Sequence, residues 1–492
     1  MTGLDLETVS ESFLRFCWLN LPRRDRAKVM AGSPRTLWLF GAGASHHYDL
    51  NARGVPVPLA AGFFEAFNEL PTSQGFHAHV GPFISFLGHY RGVQAQDVPL
   101  WRENIEDFMT SIEAEISRVR AKKAEGDFGT DDFAKGLSFA SVFNNLGFIL
   151  ASVVNEAQNG PSETLYRYLL DFCGPDDAFV TFNWDTLLDR ALVDTGGWSP
   201  NDGYGLSFAS VLDGTWKARV EGTPEFSTNW RLLKLHGSTN WLVPSMHVSL
   251  ETFEYVSLVP HSDRVFLYWQ SGLPYGTHKG RWRGGYVSTC YCYYPPNIPG
   301  SYFSKGEISA EPGHVFVRLT PKGVFAPFDE PDRDGIPASA VLITPVRQKK
   351  YEAYQTAINS LWTHAANSLS GSDKIVIIGY SFPPTDTRAL ELLGNALAAR
   401  TGKIAVEVVA PDASAIVLRI GEERLRNAKT VTAHNVRFED YLGILATDIP
   451  ALMKRAAATY NEVREWVERI YALGQITVAR QQSAVEPGEA GR

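Results

Sequence analysis

The stretch at residues 36–45 constrains the fold more than any other part of the chain. Five mostly apolar residues, TLWLF, are followed directly by GAGAS. The apolar run predicts a buried strand. Gly41 and Gly43 permit a tight turn that a Cβ atom would block, and such a turn leaves backbone N–H groups facing a phosphate. An ordinary strand-to-helix turn explains the stretch equally well.

The turn departs from the dinucleotide-binding fingerprint of dehydrogenases. That fingerprint requires a third glycine at position 46, which is His46 here. It also requires an acidic residue about 20 positions later, at the end of a second strand. Glu65 lies instead in a helical pattern at 63–67. The sequence therefore disfavours an ordinary Rossmann dehydrogenase.

The bulk composition is that of a soluble globular protein. The 492 residues are 44% hydrophobic and 20% charged, with a net charge of −8. The acidic balance makes direct nucleic-acid binding unexpected, and no apolar run reaches the roughly 20 residues of a membrane helix. Four cysteines and the absence of a basic-then-apolar leader suit a reducing cytoplasm. We expect a cytoplasmic protein.

Alternating strand and helix patterns predict a Rossmann-like, doubly wound parallel α/β sheet. The spacing 9, 13, 16 and 19 places Val9, Phe13, Phe16 and Leu19 on one face of a helix in the first 34 residues. Helices are predicted at 105–123 and 137–157, the second buried between others. The expected organisation is an N-terminal helical segment (1–34), a main domain (35–445) with a helical insertion (60–172) and an irregular β-rich insertion (242–340), C-terminal helices (446–480) and a disordered tail (481–492).

Polar residues follow several of the predicted strands. Strand 178–182 runs into Asn183 and Asp185, strand 232–235 into His236, and strand 375–378 into Gly379. The carboxyl ends of parallel strands border the ligand crevice, so these residues are expected to converge. Asp185 serves equally well as the N-cap of the next helix. A further strand of the same pattern is predicted at 341–345.

No metal is expected from the sequence. His46 and His47 are adjacent, and Cys290 and Cys292 are separated by one residue. Neither pair has two further ligands at a spacing used by structural zinc sites.

Taken together, the polar turns resemble the sirtuin family, and more closely the bacterial sirtuin-like domains that consume NAD in defence against phage. The resemblance covers roughly residues 35–445 and rests on five short matches: GAGAS at 41–45, TFNWD at 181–185, LHGS at 235–238, IGYSF at 378–382 with a nearby aspartate, and FEDYL at 438–442.

The resemblance implies an NAD-binding domain with Asn183 and His236 as the catalytic pair. Nicotinamide leaves NAD as a neutral molecule, so the reaction needs a positioned ribose and a delivered water rather than a general acid. Asn183 suits a ribose hydroxyl or the water, and His236 suits a base. The remaining expected NAD contacts are Gly41, Ala42, Gly43, Ser45, Asp185, Gly379, Ser381 and Asp412.

The chain departs from the deacylating sirtuins. Their zinc module carries two Cys-x-x-Cys pairs, whereas residues 242–340 hold only Cys290 and Cys292. The leading expectation is therefore an NAD glycohydrolase that depletes NAD as a toxic effector of anti-phage defence. An NAD or ADP-ribose sensor without turnover and a protein deacylase are the alternatives. The family implies restraint through a homo-oligomer or a partner such as a HerA-type ATPase or an Argonaute-like protein.

Overall fold

A computed structural model describes most of the main domain and both flanking helical regions. The described residues are 9–21, 26, 29–30, 33–51, 53–69, 77–158, 160, 164–200, 202–206, 208, 210–213, 215–218, 230–244, 246–248, 255–257, 265–268, 276–278, 281–283, 315–319, 325–326, 335–347, 349 and 355–484.

Strands are distributed over the whole chain. They are β1 (Thr36–Phe40), β2 (Ala178–Thr181), β3 (Ser210–Asp213), β4 (Thr215–Ala218), β5 (Arg231–Lys234), β6 (Gly237–Pro244), β7 (Met246–Val248), β8 (Tyr255–Ser257), β9 (Phe266–Tyr268), β10 (Gly276–His278), β11 (Arg281–Arg283), β12 (Val315–Leu319), β13 (Phe325–Ala326), β14 (Gly335–Leu342), β15 (Lys374–Ile378), β16 (Ile404–Val409) and β17 (Ala428–His434).

Six of these strands form one parallel sheet in the order β17-β16-β15-β1-β2-β5. Phe40 at the end of β1 lies opposite Ile378 of β15 on one side and Thr181 of β2 on the other. The chain progresses outward from β1 through β2 to β5, and outward from β15 through β16 to β17. The order therefore reverses between β1 and β15, and a crevice at the carboxyl ends of these two strands is expected at such a switch point. The predicted doubly wound α/β fold is confirmed.

The central strands are apolar because both faces of the sheet are covered. All five side chains of β1 are buried, as are four of the five in β15. Parallel sheets buried on both faces have nearly continuous apolar strands, which is the pattern that made TLWLF recognisable. One continuous apolar core joins these strands to the helices between residues 60 and 172.

The α-helices are named in chain order. They are α1 (Glu11–Asn20), α2 (Ala42–Ser45), α3 (Phe63–Glu69), α4 (His77–Phe86), α5 (Ile105–Glu125), α6 (Thr130–Ala157), α7 (Leu165–Leu169), α8 (Leu187–Asp194), α9 (Gln355–Gly371), α10 (Thr387–Ala398), α11 (Ala413–Ile420), α12 (Glu422–Leu425), α13 (Phe438–Ala446), α14 (Ile449–Thr459) and α15 (Asn461–Ala484).

Helices α5 and α6 form the centre of the helical layer and pack against each other. The Asn104 side chain caps α5 by accepting the N–H of Glu106 at 2.8 Å. The predicted apolar face of α5 is buried throughout, so that prediction is confirmed. Among the described helices, α6 has the length and composition of a membrane-spanning segment, but more than half of that stretch is buried inside the protein, as in a core helix.

A second sheet of seven strands has the order β13-β12-β14-β6-β9-β3-β4. The strand predicted at 341–345 belongs here, not to the parallel sheet. It forms the end of β14, where Val341 pairs antiparallel with Ser238 of β6. The apolar run looked like a parallel strand because burial, not strand direction, sets its composition. Cys290 and Cys292 lie outside the described residues.

Helix α1 packs with α14 and α15 around a small second core. Its buried residues are Leu14, Cys17 and Trp18, whereas Phe16 and Leu19 are 53% and 66% exposed. The predicted face is therefore right for Val9, which is buried, and for Phe13, which packs against this core, and wrong for Phe16 and Leu19. Two apolar stripes with helical spacing run along α1, and contacts with the C-terminal helices decide which one is buried.

Candidate functional site

A cavity of about 540 Å³ opens at the carboxyl edge of the parallel sheet. Residues following β1, β2, β5, β15 and β16 line it, as expected for the switch point of such a sheet. Eight of the predicted site residues line this cavity: Ala42, Gly43, Asn183, Asp185, His236, Gly379, Ser381 and Asp412.

The turns after β1 and β15 pack backbone against backbone. The N–H of Gly43 donates to the carbonyl of Gly379 at 2.9 Å. A Cβ on Gly41 would lie 2.5 Å from Cα of Tyr380. Gly379 has a φ of +63°, and a Cβ there would overlap the backbone nitrogen of Ala44. These glycines are required because the two turns approach too closely for side chains.

The contact between the turns determines which backbone N–H groups of the glycine turn can bind a ligand. The N–H of Gly41 donates to Ile378, that of Gly43 to Gly379, and that of Ala44 to Gly41. These three amides are therefore engaged inside the protein and are not open donors for a phosphate. Ala42 and Gly43 are exposed and offer a flat backbone surface to the cavity.

The Asn183 side chain is fixed by neutral hydrogen bonds. Its Nδ2 donates to the carbonyl of Gly41 at 3.0 Å and to Oγ of Ser45 at 2.9 Å. Because a carbonyl only accepts, these contacts determine which end of the amide is nitrogen. Both N–H bonds point into the protein, so Oδ1 is the atom with which Asn183 can engage a ligand. Asn183 can thus accept a hydrogen bond from a hydroxyl or a water.

Ser45 supports Asn183 and does not line the cavity. It is fully buried, and its Oγ lies 2.8 Å from the hydroxyl of Tyr166 on α7. The structure therefore does not bring Ser45 to the ligand surface where the sequence placed it. In the short helix α2, the Ser45 side chain turns toward the core while Ala42 and Gly43 face outward.

His236 lies between the two sheets. Its carbonyl accepts the N–H of Ile343 at 2.9 Å, next to the pairing of β6 with β14. The following residue, Gly237, has a φ of +83° and leaves no room for a Cβ against the carbonyl of Val341. The His236 ring lies 4.9 Å from the ring of Phe182 at a steep angle. This packing holds the imidazole at the cavity wall.

Asp386 is the functional residue that sequence reasoning left without a role. Its Oδ2 lies 3.0 Å from Nε2 of His236 and accepts the Tyr380 hydroxyl at 2.5 Å. Burial raises the pKa of Asp386, but His236, Lys349 and Tyr380 hold it well below the ordinary range. Asp386 is therefore ionised at neutral pH. The only sequence signal was its position shortly after the Gly379 turn.

Asp185 has mainly a structural role. Its Oδ1 accepts the N–H of Leu187 at 3.1 Å at the start of α8, although the N-cap residue is Thr186 and not Asp185, as the capping alternative had it. Its carbonyl accepts the ammonium of Lys234. Lys234 and Asp189 are completely buried and form an ion pair at 3.1 Å, and burial raises the pKa of Asp189. This pair anchors the loop that carries Asn183.

Ser381 and Asp412 lie at the exposed rim of the cavity. The Ser381 carbonyl accepts the guanidinium of Arg419, which ties the rim to α11. Lys349 is the one lysine or arginine that lines the cavity within the described ranges. Its side chain is buried, and its ammonium lies 3.5 Å from Oδ2 of Asp386.

These features define an α/β protein with a ligand cavity at the switch point of a parallel sheet. No family model matches the chain, and no curated protein matches it.

Solved structures of sirtuins show a distant similarity. A Sir2 homolog in complex with NAD matches 87% of this chain and 93% of its own, with a TM-score of 0.32 and 11% identity. A structure on the mechanism and regulation of Sir2 enzymes matches 88% and 100%, with a TM-score of 0.30 and 12% identity. Sir2 bound to an acetylated peptide matches 87% and 98%, with a TM-score of 0.25 and 10% identity. Similarity at this level does not establish a shared function.

Proposed function

We propose that the protein is an NAD glycohydrolase that cleaves NAD to nicotinamide and ADP-ribose. The observation that carries the proposal is that Asn183 and His236 line one cavity at the switch point of the sheet. An amide held in one orientation and an imidazole are the two groups that ribose positioning and water activation require.

The proposed step breaks the bond between the ribose C1′ and the pyridinium nitrogen. The electron pair of that bond leaves with nicotinamide, which becomes neutral. Oδ1 of Asn183 accepts a hydrogen bond from a ribose hydroxyl or from the incoming water. The water oxygen forms the new bond to C1′, and its proton passes to His236. The charge that develops on the ribose resembles an oxocarbenium ion, which needs positioning more than acid catalysis.

We further propose that this activity depletes cellular NAD during phage infection. The role rests on the resemblance of the strand-end motifs to bacterial defence domains. Such a toxic activity requires restraint, so we expect a resting state that is relieved by oligomerisation or by a partner, such as a HerA-type ATPase or an Argonaute-like protein. An active isolated monomer in size-exclusion fractions would contradict this regulation.

The first prediction tests the activity itself. Purified protein from each size-exclusion fraction is incubated with NAD, and nicotinamide is measured by chromatography. Asn183→Ala and His236→Ala should each lower the rate by at least about 100-fold. His89→Ala, which removes an exposed imidazole, is the matched control and should retain the rate.

Three outcomes would overturn the proposal. No nicotinamide release from any assembled form excludes turnover. Tight NAD or ADP-ribose binding by calorimetry without product would indicate a sensor instead. NAD consumption only in the presence of an acetylated peptide would indicate a deacylase.

A further inference from the structure

A chain of buried charges extends from His236 into the wall of the cavity. Nε2 of His236 lies 3.0 Å from Oδ2 of Asp386, and Nζ of Lys349 lies 3.5 Å from the same oxygen. Glu106 follows, with Oε1 at 3.9 Å from Nζ of Lys349. The side chains of Asp386 and Lys349 are only 1% and 6% exposed, so water screens this chain weakly.

The chain joins segments that are distant in sequence. Glu106 lies in the first turn of α5, Lys349 follows β14, and Asp386 follows the turn after β15. The Thr385 hydroxyl donates to Glu106, which ties α5 directly to the segment that carries Asp386. The helical insertion therefore contributes Glu106 to the surroundings of His236, and the segment after β14 contributes Lys349.

The charges balance only when His236 is protonated. With a neutral imidazole, Asp386, Lys349 and Glu106 sum to one negative charge. An imidazolium brings the sum to zero. A weakly solvated group of charges is most stable when its members compensate one another, so Asp386 supplies the negative charge that compensates a proton arriving on His236 during the reaction.

The contact with Asp386 also selects the tautomer of His236. A lone pair on Nε2 would face the ionised carboxylate at 3.0 Å and be repelled by it, so Nε2 carries a proton and Nδ1 is left to take one. Nε2 makes no hydrogen bond within the described part of the chain, and its contact with Oδ2 is an ion pair once the ring is charged. The carboxylate thus acts mainly through its charge.

We propose that Asp386 is the positioning residue of His236, and that Lys349, held by Glu106, limits the strength of its effect. This inference rests on the proposed function of His236 as the base. In the reaction, the proton of the attacking water moves to Nδ1 while Nε2 keeps its proton facing Asp386. No proton passes to Asp386.

Other charged groups face the same cavity. Within the described ranges they are Asp185, after β2, and Asp412, after β16. The Asp185 side chain accepts a backbone N–H of α8 and Asp412 is exposed. The test therefore changes only the members of the charge chain and leaves these two acids in place.

The second prediction uses two variants with opposite expected effects. Asp386→Asn removes the negative neighbour, so the imidazolium is less stable and the acid limb of the kcat profile moves to lower pH. Lys349→Met removes the competing cation, so the limb moves to higher pH. Each shift should exceed about 0.5 pH unit. Asp386→Asn should also lower kcat by roughly 10- to 100-fold with little change in KM.

A matched control removes a carboxylate from the opposite end of the same strand. Asp373 precedes β15 and is half exposed beside Arg35. Asp373→Asn should leave both kcat and the pH profile unchanged. Glu106→Gln should shift the limb in the same direction as Asp386→Asn, by a smaller amount.

A titration of labelled histidine without NAD makes the inference testable apart from turnover. The His236 ring ¹⁵N resonances, identified by their loss in His236→Gln, should show the proton on Nε2. Their titration midpoint should fall in Asp386→Asn and rise in Lys349→Met. Shifts of the same sign in both variants, or no shift in either, would overturn the inference even if the protein hydrolyses NAD. If these shifts occur without NAD hydrolysis, only the proposed function fails.

Discussion

Asn183 and His236 line the same cavity but are held by opposite means. Neutral groups surround the Asn183 amide: the Gly41 carbonyl and the Ser45 hydroxyl. Charged groups surround the His236 imidazole, with Asp386 in contact and Lys349 next to it. The neutral groups orient the Asn183 amide and add no charge next to it. The charged groups orient the His236 imidazole and also place a negative charge next to it.

The difference matches what each residue is proposed to do. A side-chain amide does not titrate near neutral pH, so charge around it would add only cost from desolvation. An imidazole that takes a proton benefits from a negative partner. We call the groups around Asn183 the neutral side and those around His236 the charged side. Substitutions on the neutral side should therefore change the rate of NAD turnover without changing its pH profile. Substitutions on the charged side should change both.

The largest expected effect comes from the contact that joins the two sides. Gly379→Ala places a Cβ at positive φ and against the backbone of Ala44. We expect a loss of about 3 kcal/mol or more in the free energy of unfolding, measured in urea, and loss of NAD turnover. The positions of Asn183 and His236 should both be disturbed, because the contact between the turns after β1 and β15 sets the distance between the neutral and the charged side.

The control for this variant is Gly402→Ala. A Cβ at that position meets nothing within 4 Å, so the change in stability should stay within about 0.5 kcal/mol. If Gly379→Ala unfolds at the same urea concentration as the wild type, the close packing of the two turns is wrong.

The sequence predicts the neutral side better than the charged side. Strands β1 and β15 and the glycines after them carry short-range signals: apolar runs and residues without a Cβ. The parallel order then places Asn183 and His236 at one edge. Ser45 was misplaced because a four-residue helix does not reveal which side chain faces the core.

The charged side depends on long-range contacts. Glu106 looks like an ordinary acid in the first turn of a helix, where it complements the helix dipole. Lys349 lies beyond a long β-rich insertion, and 243 positions separate it from Glu106 in the numbering of the chain. Only the three-dimensional structure brings these residues to Asp386.

A smaller effect is expected on the neutral side alone. Ser45→Ala removes one acceptor of the Asn183 amide, so the side chain gains freedom and kcat should fall by roughly 10-fold. Tyr166→Phe removes a hydroxyl that accepts from Nδ2 of Asn183 at the longer distance of 3.5 Å, and it should have a weaker effect of the same kind. The rates are measured across pH, and the acid limb should not move in either variant.

Ser370→Ala, at an exposed position in α9, is the matched control and should behave as the wild type. A shift of the acid limb in Ser45→Ala would show that the neutral side and the charged side are coupled electrostatically. That result would contradict the separation of the two sides. Unchanged kcat would show that Asn183 is oriented without the Ser45 hydroxyl, by the Gly41 carbonyl and the Tyr166 hydroxyl.

The smallest expected effect is on the acid stability of the charged side. Burial raises the pKa of Asp386, yet His236 and Lys349 outweigh it and hold the folded-state value below the ordinary 3.8. Ionised Asp386 therefore stabilises the fold fully above that ordinary value, and this contribution is lost as the pH falls further. Urea unfolding should show a steeper decline below about pH 4 in the wild type than in Asp386→Asn. Ser45→Ala should keep the wild-type slope, because no charge is removed. Equal slopes in the wild type and Asp386→Asn would mean that the ionisation of Asp386 does not affect the free energy of unfolding. The two sides would then differ only in the geometry of their contacts.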